Sequence, residues 1–494
     1  MKKLQNATRA LLGCCTFLTL AATGFAQQWV FTDLNPPGNV RSEAIGVFAG
    51  RQVGFADGQR VQWTGTPDSA TVVGPYHGEL ILGVGADGTW AGVSGTEGAG
   101  VFIGTADWYP FDVDEEDEIT WGVTGADNGR QLGWKSWFYG HYGAAYDFGY
   151  WEGTRESWHT VTQITPPGYG SLTGIDGDRF CGTFTYPIGE EQVWVTRAKR
   201  FGGPGGGGSL HPEGAFASSA WKIHGDQQLG SVQLEEGGPT YTALWNNTPE
   251  SWVDFNPPGN QGNGLSTLHQ GRQGGSHSDG VSYRAAIWAG SPELRTDLPQ
   301  PEGALSSQVT AINDDGERTT AVGIVRYPDD VVHAALWTHI NTTFNPSSFS
   351  LFRGSVVSGN LASLFSSDDN RLVLRPGAVF STAEHPIQVI LEGTSPEASP
   401  PVFSFLLESH ASIGNAVQKI SFYNFDTSEY ELMDSRPAWT SDVEVRVNVV
   451  SNASRFIEAG TLKVKTRISY KALGPTFIYP WHARLDRARW VLPY

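Results

Sequence analysis

Short apolar stretches separated by glycine-rich turns recur along the first part of the chain. The first copy of this unit begins at a Pro37-Gly38 turn, continues through the stretches 44–47 and 52–55, and ends on a strand closed by Trp63. No long stretch places its apolar residues at helical spacing, whereas short runs bounded by glycine and proline are typical of β-strands. The pattern therefore predicts an all-β repeat.

An aromatic residue closes each copy of the unit, at Trp63, Phe102, Trp151, Trp194, Trp245, Trp288 and Trp337. The spacings between them are 39, 49, 43, 51, 43 and 49 residues, near the ~40–50 residues of a four-stranded propeller blade. Small sheets packed around an axis bury both of their faces and leave only short edges. The spacing predicts that residues 27–345 form a seven-bladed β-propeller.

A different pattern follows the Asn345-Pro346 junction, where tryptophan becomes rare and alternation strengthens. Residues 443–449 and 462–470 alternate apolar and polar positions, which is typical of a sheet with one face in water. Further strands are predicted at residues 371–374, 387–391, 403–407 and 419–423. We expect residues 346–494 to form a C-terminal, jelly-roll-like β-sandwich.

The repeats resemble the extracellular repeat family named for its His-Ala-Phe motif (HAF-type repeats). The segment His333-Ala334-Ala335-Leu336-Trp337 is the closest copy, and the segments 243–245 and 285–288 are degenerate ones. The resemblance implies an extracellular β-repeat body and lends no catalytic residues. The C-terminal segment resembles accessory modules of uncharacterised secreted bacterial proteins, through residues 354–359, 371–373, 454–456, 479–481 and 485–490; this resemblance implies no activity.

The N-terminus has the three parts of a cleavable export signal. Lys2, Lys3 and Arg9 are basic, residues 10–22 are apolar, and Gly24-Phe25-Ala26 offers small residues where a signal peptidase cuts. The alternative, an uncleaved membrane anchor, is disfavoured because the apolar run is shorter than the ~20 residues of a span. The sequence predicts a signal peptide at 1–26 and a secreted protein that is extracellular, periplasmic or bound to the cell surface.

The net charge of the chain bears on its partners, and its cysteine content bears on disulfide bonding. The chain carries 33 basic and 51 acidic side chains, a net −18; without the three basic residues of the signal the count is 30 against 51, or −21. Such a chain repels phosphate backbones and anionic headgroups, so nucleic acid and membrane surfaces are poor candidates for partners. We also expect no membrane span, because no segment after the signal is long and apolar enough to cross a bilayer. Only Cys181 remains after signal removal, which excludes an internal disulfide framework. The oligomeric state stays open.

Catalytic and metal-binding signatures are weak. The sequence after the predicted signal has no His-Glu-x-x-His, cysteine pair or Gly-x-Ser-x-Gly elbow. The acidic run 112–118 offers carboxylates to a calcium ion, although it lacks the spacing of a calcium loop and is also typical of a solvated loop. Cys181 lies in an apolar strand and is interpreted as a packing residue. We therefore predict no cofactor, no metal site and no catalytic residue.

The most suggestive segment is a long aromatic excursion in the third repeat, residues 135–150. Its rings with polar tips can stack on sugars and bind their hydroxyls, so Trp137, Tyr139, His141 and Tyr142 are the predicted ligand-binding residues. The alternative is an extended hairpin that packs against a neighbouring repeat. Some propeller-shaped polysaccharide lyases use a tyrosine–histidine pair, and that resemblance keeps an enzymatic role open for this segment.

The combined pattern favours a secreted, non-catalytic binding or scaffold protein. A propeller face would present a site for a glycan or a cell-surface protein, and the sandwich would serve as an accessory or attachment module. The alternatives are a polysaccharide lyase or glycoside hydrolase with its site on the axial face, and a structural component of the cell envelope. Fold alone does not separate them, because propellers host both binding and catalysis.

Overall fold

The computed structural model describes residues 29–75, 80–84, 89–94, 98–103, 108–110, 119–127, 129–138, 144–165, 167–189, 192–203, 206–256, 262–474 and 480–492. The predicted export signal and the acidic run 112–118 lie outside these ranges. Within them the protein is all-β, without an α-helix. The described residues include five short 3₁₀ turns, at Pro67–Ser69, Arg155–Ser157, Pro249–Ser251, Leu361–Leu364 and Ala453–Phe456. No helix in the described ranges is long and apolar enough to cross a membrane.

The repeat segment is built from antiparallel units, each with up to four strands paired in chain order. Units 1 and 2 consist of β2 (Ser42–Phe48), β3 (Arg51–Ala56), β4 (Gln59–Trp63) and β5 (Thr71–Pro75), then β6 (Leu80–Val84), β7 (Thr89–Ser94), β8 (Gly98–Ile103) and β9 (Trp108–Pro110). Units 3 and 4 consist of β10 (Ile119–Asp127), β11 (Arg130–Phe138), β12 (Ala144–Trp151) and β13 (His159–Ile164), then β14 (Tyr169–Asp176), β15 (Arg179–Ile188), β16 (Val193–Phe201) and β17 (Gly208–Ser209). Units 5 and 6 consist of β18 (Ala217–His224), β19 (Gln227–Gln233), β20 (Thr240–Asn246) and β21 (Val253–Asp254), then β22 (Asn263–His269), β23 (Arg272–Ser278), β24 (Tyr283–Trp288) and β25 (Arg295–Asp297).

The last unit takes its outer strand from the start of the chain. Unit 7 consists of β26 (Ser306–Asp314), β27 (Arg318–Arg326) and β28 (Val332–Ile340), and β1 (Val30–Asp33) pairs with β28 as the fourth strand. Units 4 and 5 are joined into one sheet by a single parallel pair, Thr196 with Ala217. The N-terminal strand thus ties the two ends of the repeat segment together.

The first strand of each unit lies against the first strand of the next, and β2 of unit 1 lies against β26 of unit 7. Each of these strands has a β-bulge at the corresponding place. Four bulged residues donate a side-chain hydroxyl to a carbonyl of the following unit: Thr124 to Leu172, Thr173 to Ala220, Ser266 to Val309 and Thr310 to Ala44. The last bond, 2.7 Å long, runs from unit 7 to unit 1.

The glycine that recurs in each second strand is explained by a close backbone approach. A Cβ on Gly54 would stand 1.9 Å from the Glu43 carbonyl oxygen, and one on Gly323 would stand 1.8 Å from that of Gln308. These carbonyls belong to the bulged first strand of the same unit, so the bulge and the glycine occur together.

The closing aromatics of five units are fully buried, as predicted: Trp63, Trp151, Trp245, Trp288 and Trp337. The prediction for unit 4 is wrong. Trp194 is 49% exposed and lies beside Tyr169, whereas the register places Phe201 at the closing position. Strands β15 and β16 are longer than their counterparts, so Trp194 lies at the opposite end of the hairpin from that position.

A buried glutamine at the start of the second strand recurs in four units, and the sequence analysis missed its role. The residues are Gln52, Gln131, Gln228 and Gln273. In each, the amide nitrogen donates to a carbonyl of the preceding turn and the amide oxygen accepts from a backbone N–H of the loop after the third strand. Each side chain therefore links two connections at the same end of its unit.

The C-terminal segment contains two sheets that share one hydrophobic core. Its strands are β29 (Thr342–Phe344), β30 (Ser348–Arg353), β31 (Ser355–Ser358), β32 (Leu372–Arg375), β33 (Ile387–Thr394), β34 (Phe403–Ala411), β35 (Ala416–Asn424), β36 (Glu429–Pro437), β37 (Val443–Val449), β38 (Lys463–Ala472) and β39 (Ala483–Leu492). One sheet has the order β31-β32-β39-β34-β37 with β29 on β39, and the other the order β30-β33-β38-β35-β36.

The boundary between the two segments lies slightly earlier than predicted. Strand β29 pairs with β39, and Phe344 stacks on buried Trp490 with ring centroids 5.3 Å apart. Residues 342–344 therefore belong to the C-terminal sheets rather than to a repeat segment ending at 345. Phe344 is partly buried there and packs against the hydrophobic core of the C-terminal sheets.

Candidate functional site

The two ends of the repeat units differ in what they contact. One end, here the turn end, is formed by the turns between the first and second strands, such as residues 270–271 and 315–317. The other, the loop end, is formed by the connections between the second and third strands, such as residues 279–282 and 327–331. The C-terminal sheets lie against the turn end of units 6 and 7. A Cβ added at Gly271 would stand 3.1 Å from Val450, and one added at Gly316 would stand 3.0 Å from Leu406.

A buried ion-pair cluster holds this junction. The guanidinium of Arg446 donates to both carboxylate oxygens of Asp314, at 2.8 and 3.2 Å, and Arg272 lies 3.5 Å from the same carboxylate. Thr319 and Asn341 also donate to Asp314. Burial would raise the pKa of Asp314, but Arg446 and Arg272 outweigh it and hold that pKa well below its usual value. Burial lowers the pKa of Arg272 to about 10.

Histidine and aspartate side chains also line the turn end in units 3 to 6. Asp127 and Asp176 each accept a backbone N–H from the turn of the following unit, at 3.1 and 2.7 Å. His224 and His269 lie with ring centroids 4.3 Å apart, and His269 accepts the backbone N–H of Asp314. Burial, followed by the charge of His224, lowers the pKa of His269 well below its usual value. Hydrogen bonds between neighbouring units thus engage Asp127, Asp176 and His269.

The predicted aromatic site is only partly within the described residues. Trp137, partly exposed, lies near the end of β11, where it pairs with Ile119 and Ala145. Tyr139, His141 and Tyr142 lie outside the described ranges, so their grouping with Trp137 stays a prediction. The strands that flank them form a long hairpin at the loop end.

Aromatic residues at the base of this hairpin are packing residues. Phe148 is buried against Phe184 of unit 4, with ring centroids 5.5 Å apart, and Tyr150 stacks on Phe180 at 5.4 Å. The alternative interpretation of the excursion, packing against a neighbouring unit, therefore holds for these two residues.

A cleft opens at the loop end between units 6 and 7, with a volume of about 250 Å³. Its lining residues are Ser276, Tyr283, Ser306, Ser307, Gln308, Ile324 and Arg326. Tyr283 is 55% exposed at the start of β24, and Ser307 accepts the backbone N–H of Ala285, which fixes the cleft's inner wall. The sequence analysis missed these residues, because none belongs to a motif and they meet only when units 6 and 7 pack.

Cys181, His211 and His333 carry side chains of the types that nucleophilic catalysis uses. Cys181 is buried, and burial raises its pKa to about 12, so its thiolate is absent at neutral pH. His211 lies 2.9 Å from the hydroxyl of Ser218, but that hydroxyl is buried and accepts the backbone N–H of Ala198. His333 of the HAF-like copy pairs with Asp33 at 2.8 Å and thereby links β28 to the N-terminal strand. The His211–Ser218 and His333–Asp33 contacts therefore position segments of the backbone.

Three carboxylates meet in the C-terminal sheets, at Asp369, Asp442 and Asp486, within 4.8 Å of one another. Arg371 forms ion pairs with both Asp369 and Asp442, and His410 lies 2.5 Å from Asp442. Two of the three negative charges are thus neutralised by the protein's own cations.

No protein-family model and no curated protein matches the chain. Among solved structures, the chain is similar to the Pyrococcus horikoshii acylaminoacyl peptidase at 10% identity and a TM-score of 0.40, over 70% of this chain and 59% of the peptidase. It is also similar to the β-propeller domain of the Trilobed protease from Pyrococcus furiosus (8% identity, TM-score 0.40, 60% of this chain and 94% of that one). A family 29 carbohydrate-binding module from Piromyces equi matches 31% of this chain and 86% of its own, at 13% identity and a TM-score of 0.20. At these scores the likenesses do not indicate what this chain binds or does.

Proposed function

We propose that this chain is an exported, non-catalytic binding protein in which a seven-bladed β-propeller presents a ligand site and a jelly-roll-like C-terminal β-sandwich is an accessory module. The seven-bladed arrangement is supported by the contact of β2 with β26, by the Thr310–Ala44 hydrogen bond and by β1 pairing with β28. The shared core of the two C-terminal sheets supports the sandwich.

Export and membership of the HAF-type repeat family belong to the same proposal. The basic, apolar and small-residue segments at 2–26 support export. The copy at residues 333–337 supports the family, and there His333 holds the N-terminal strand through Asp33. A protein with this location would meet glycans and cell-surface proteins.

The observation that carries the binding role is the cleft between units 6 and 7. It combines one half-exposed aromatic ring, Tyr283, with the hydrogen-bonding groups of Ser306, Gln308 and Arg326. A ring face for an apolar sugar surface, with polar groups for its hydroxyls, is the chemistry of a carbohydrate site. Among the described residues that line the cleft there is no pair of carboxylates of the kind that most glycoside hydrolases use.

A glycan array probed with the mature chain, 27–494, tests this role. We expect saturable binding to a neutral glycan without product formation, and at least a roughly tenfold loss of affinity for Tyr283→Ala combined with Gln308→Ala. Tyr169→Ala is the matched control, because Tyr169 is 56% exposed but lies on unit 4. Equal loss in the control, or release of shortened glycan, would contradict the proposal.

The predicted aromatic excursion is tested on the same array. Trp137→Ala with Tyr142→Ala should weaken binding if the excursion contributes to the ligand surface. Unchanged affinity in that variant, together with the loss in the Tyr283 variant, would confine the site to the cleft.

A further inference from the structure

Cations are concentrated on one face of the C-terminal sandwich, although the chain as a whole carries −18. Strand β38 alternates between core residues, such as Val464 and Ile468, and outward residues. Four outward positions of β38 and one of the neighbouring β35 carry cations, and we call this set the cationic face: Lys419, Lys463, Lys465, Arg467 and Lys471. It holds four of the chain's nine lysines.

The cations on this face outnumber the anions that neutralise them. Glu392 of β33 forms ion pairs with Lys463 and Lys465, at 3.8 and 3.4 Å, so five cations meet one carboxylate and the face carries 5 − 1 = +4. Among the described residues, no carboxylate lies within ion-pair distance of Lys419, Arg467 or Lys471, and the Lys471 ammonium donates to the Thr382 carbonyl. The register places Lys419 opposite Ser469 and Lys471 opposite Val417, so each of these lysines faces an uncharged residue across the β35–β38 pair.

His385 lies close enough to the cationic face for its pKa to be affected by three of the cations. This residue precedes β33, and its side chain is partly buried beside the cationic face. Burial and then the charges of Lys419, Lys471 and Arg467 lower its pKa.

Aromatic rings border the same face. The Arg467 guanidinium lies 4.2 Å from the centre of the Tyr430 ring, and the Lys465 ammonium lies 5.2 Å from that of Tyr423. Phe380 projects from the loop between β32 and β33 and is 92% exposed. Glu384 fixes this loop by accepting from the backbone N–H of Phe380 and by pairing with Arg353.

We propose that the cationic face binds an acidic polysaccharide whose carboxylate or sulfate groups contact Lys419, Arg467 and Lys471. The charges from Lys463 to Lys471 alternate along one strand, which spans ~27 Å at ~3.3 Å per residue and matches an extended polymer. The ring faces suit sugars. Nucleic acid is a poorer fit, because its dense phosphate charge is repelled by the rest of this acidic chain. The proposal rests on the proposed export of the chain, because an exported protein would meet such a polymer outside the cell.

The test uses the mature chain, alginate as the polyuronate probe, and a neutral β-glucan and duplex DNA as comparison polymers. We expect alginate to bind at low salt, with affinity falling as sodium chloride is raised. Lys419→Gln with Lys471→Gln should reduce alginate affinity at least roughly tenfold and leave the melting temperature within a few degrees of wild type. The matched control, Arg284→Gln with Arg295→Gln, makes the same change in net charge on the propeller and should leave affinity unchanged.

Equal losses in the two double variants would overturn the proposal, as would salt-independent binding, no alginate binding, or DNA binding as tight as that of alginate. The result is separable from the propeller site. Loss of neutral-glycan binding in the Tyr283→Ala, Gln308→Ala variant concerns the cleft, whereas loss of alginate binding in the lysine variant concerns only the cationic face.

Discussion

Replacing Arg446 with leucine should weaken the junction between the repeat units and the C-terminal sheets. The Arg446 side chain is 4% exposed and Asp314 is completely buried, so the two charges interact away from water. Removing one partner of a buried ion pair costs ~3–5 kcal/mol because the other charge is left uncompensated. In Arg446→Leu, Asp314 keeps Arg272 and the donors Thr319 and Asn341. We therefore expect the lower end, about 3 kcal/mol of unfolding free energy.

Replacing the carboxylate should cost more. Asp314→Leu leaves Arg272 and Arg446 facing one another without an anion, and we expect a loss of about 5 kcal/mol. Because both substitutions disturb the same cluster, their effects should not add, and the double variant should differ from the sum by roughly 0.5–3 kcal/mol. Urea unfolding followed by tryptophan fluorescence measures all four proteins. A loss below about 1 kcal/mol for Arg446→Leu, or strict additivity, would refute this reasoning.

The ion-pair cluster around Asp314 predicts how the unfolding free energy changes with pH. The folded-state pKa of Asp314 is held below its unfolded value, so the stability it contributes is fully present above that unfolded value, about pH 4, and is lost as the pH falls toward the folded pKa. The difference in unfolding free energy between wild type and Asp314→Asn should be constant from pH 5 to pH 7 and shrink below about pH 4. A difference that grows on acidification would contradict the assignment.

Three further predictions concern the repeat units. Trp245→Ala should cost ~3–5 kcal/mol of unfolding free energy and Trp194→Ala less than about 0.5 kcal/mol, because only the first side chain is buried; equal urea midpoints for the two variants would contradict the corrected alignment. Gln228→Ala should cost ~1–3 kcal/mol, since its two backbone partners lose their hydrogen bonds, and an unchanged midpoint would be inconsistent with that role. Cys181, with a pKa of about 12, should resist thiol labelling at pH 8 until the protein is unfolded by urea; rapid labelling of the native protein would show the thiol to be accessible.

The sequence predicts the unit well where one local pattern repeats. Closing tryptophans such as Trp63 and Trp337 are buried, and the second-strand glycine is imposed by a carbonyl close to Gly54 in the same unit. Both signals arise within a single unit. Unit 4 escapes prediction because its hairpin is longer, so that Trp194 lies far from the position that Phe201 occupies.

Features that depend on packing between distant segments could not be predicted from local pattern. The pairing of Val30–Asp33 with β28 joins residues some three hundred positions apart, and no local signal marks it. Likewise Asp314 and Arg446 are ordinary surface residue types in their own strands, and they become buried only when the C-terminal sheets lie against the turn end.

The candidate sites show the same limit. The aromatic excursion around Trp137 was conspicuous because its rings are consecutive in the chain, whereas Tyr283 and Gln308 of the cleft are 25 residues apart in different units. The net charge of the whole chain does not indicate the cationic face. Lys419 and Lys471 are 52 residues apart in the sequence and come together only through the β35–β38 pairing. Alternation along β38 was visible, but the direction its charges face depends on which side is core.

Titrating the mature chain calorimetrically with the tightest array-selected neutral oligosaccharide, followed by analysis of the recovered sugar, tests the central proposal most directly. We predict a saturable isotherm that Tyr283→Ala with Gln308→Ala weakens at least roughly tenfold, and oligosaccharide recovered intact. A shortened or unsaturated sugar would show an enzyme, and an isotherm identical in the variant and the wild type would show that the cleft between units 6 and 7 is not the site.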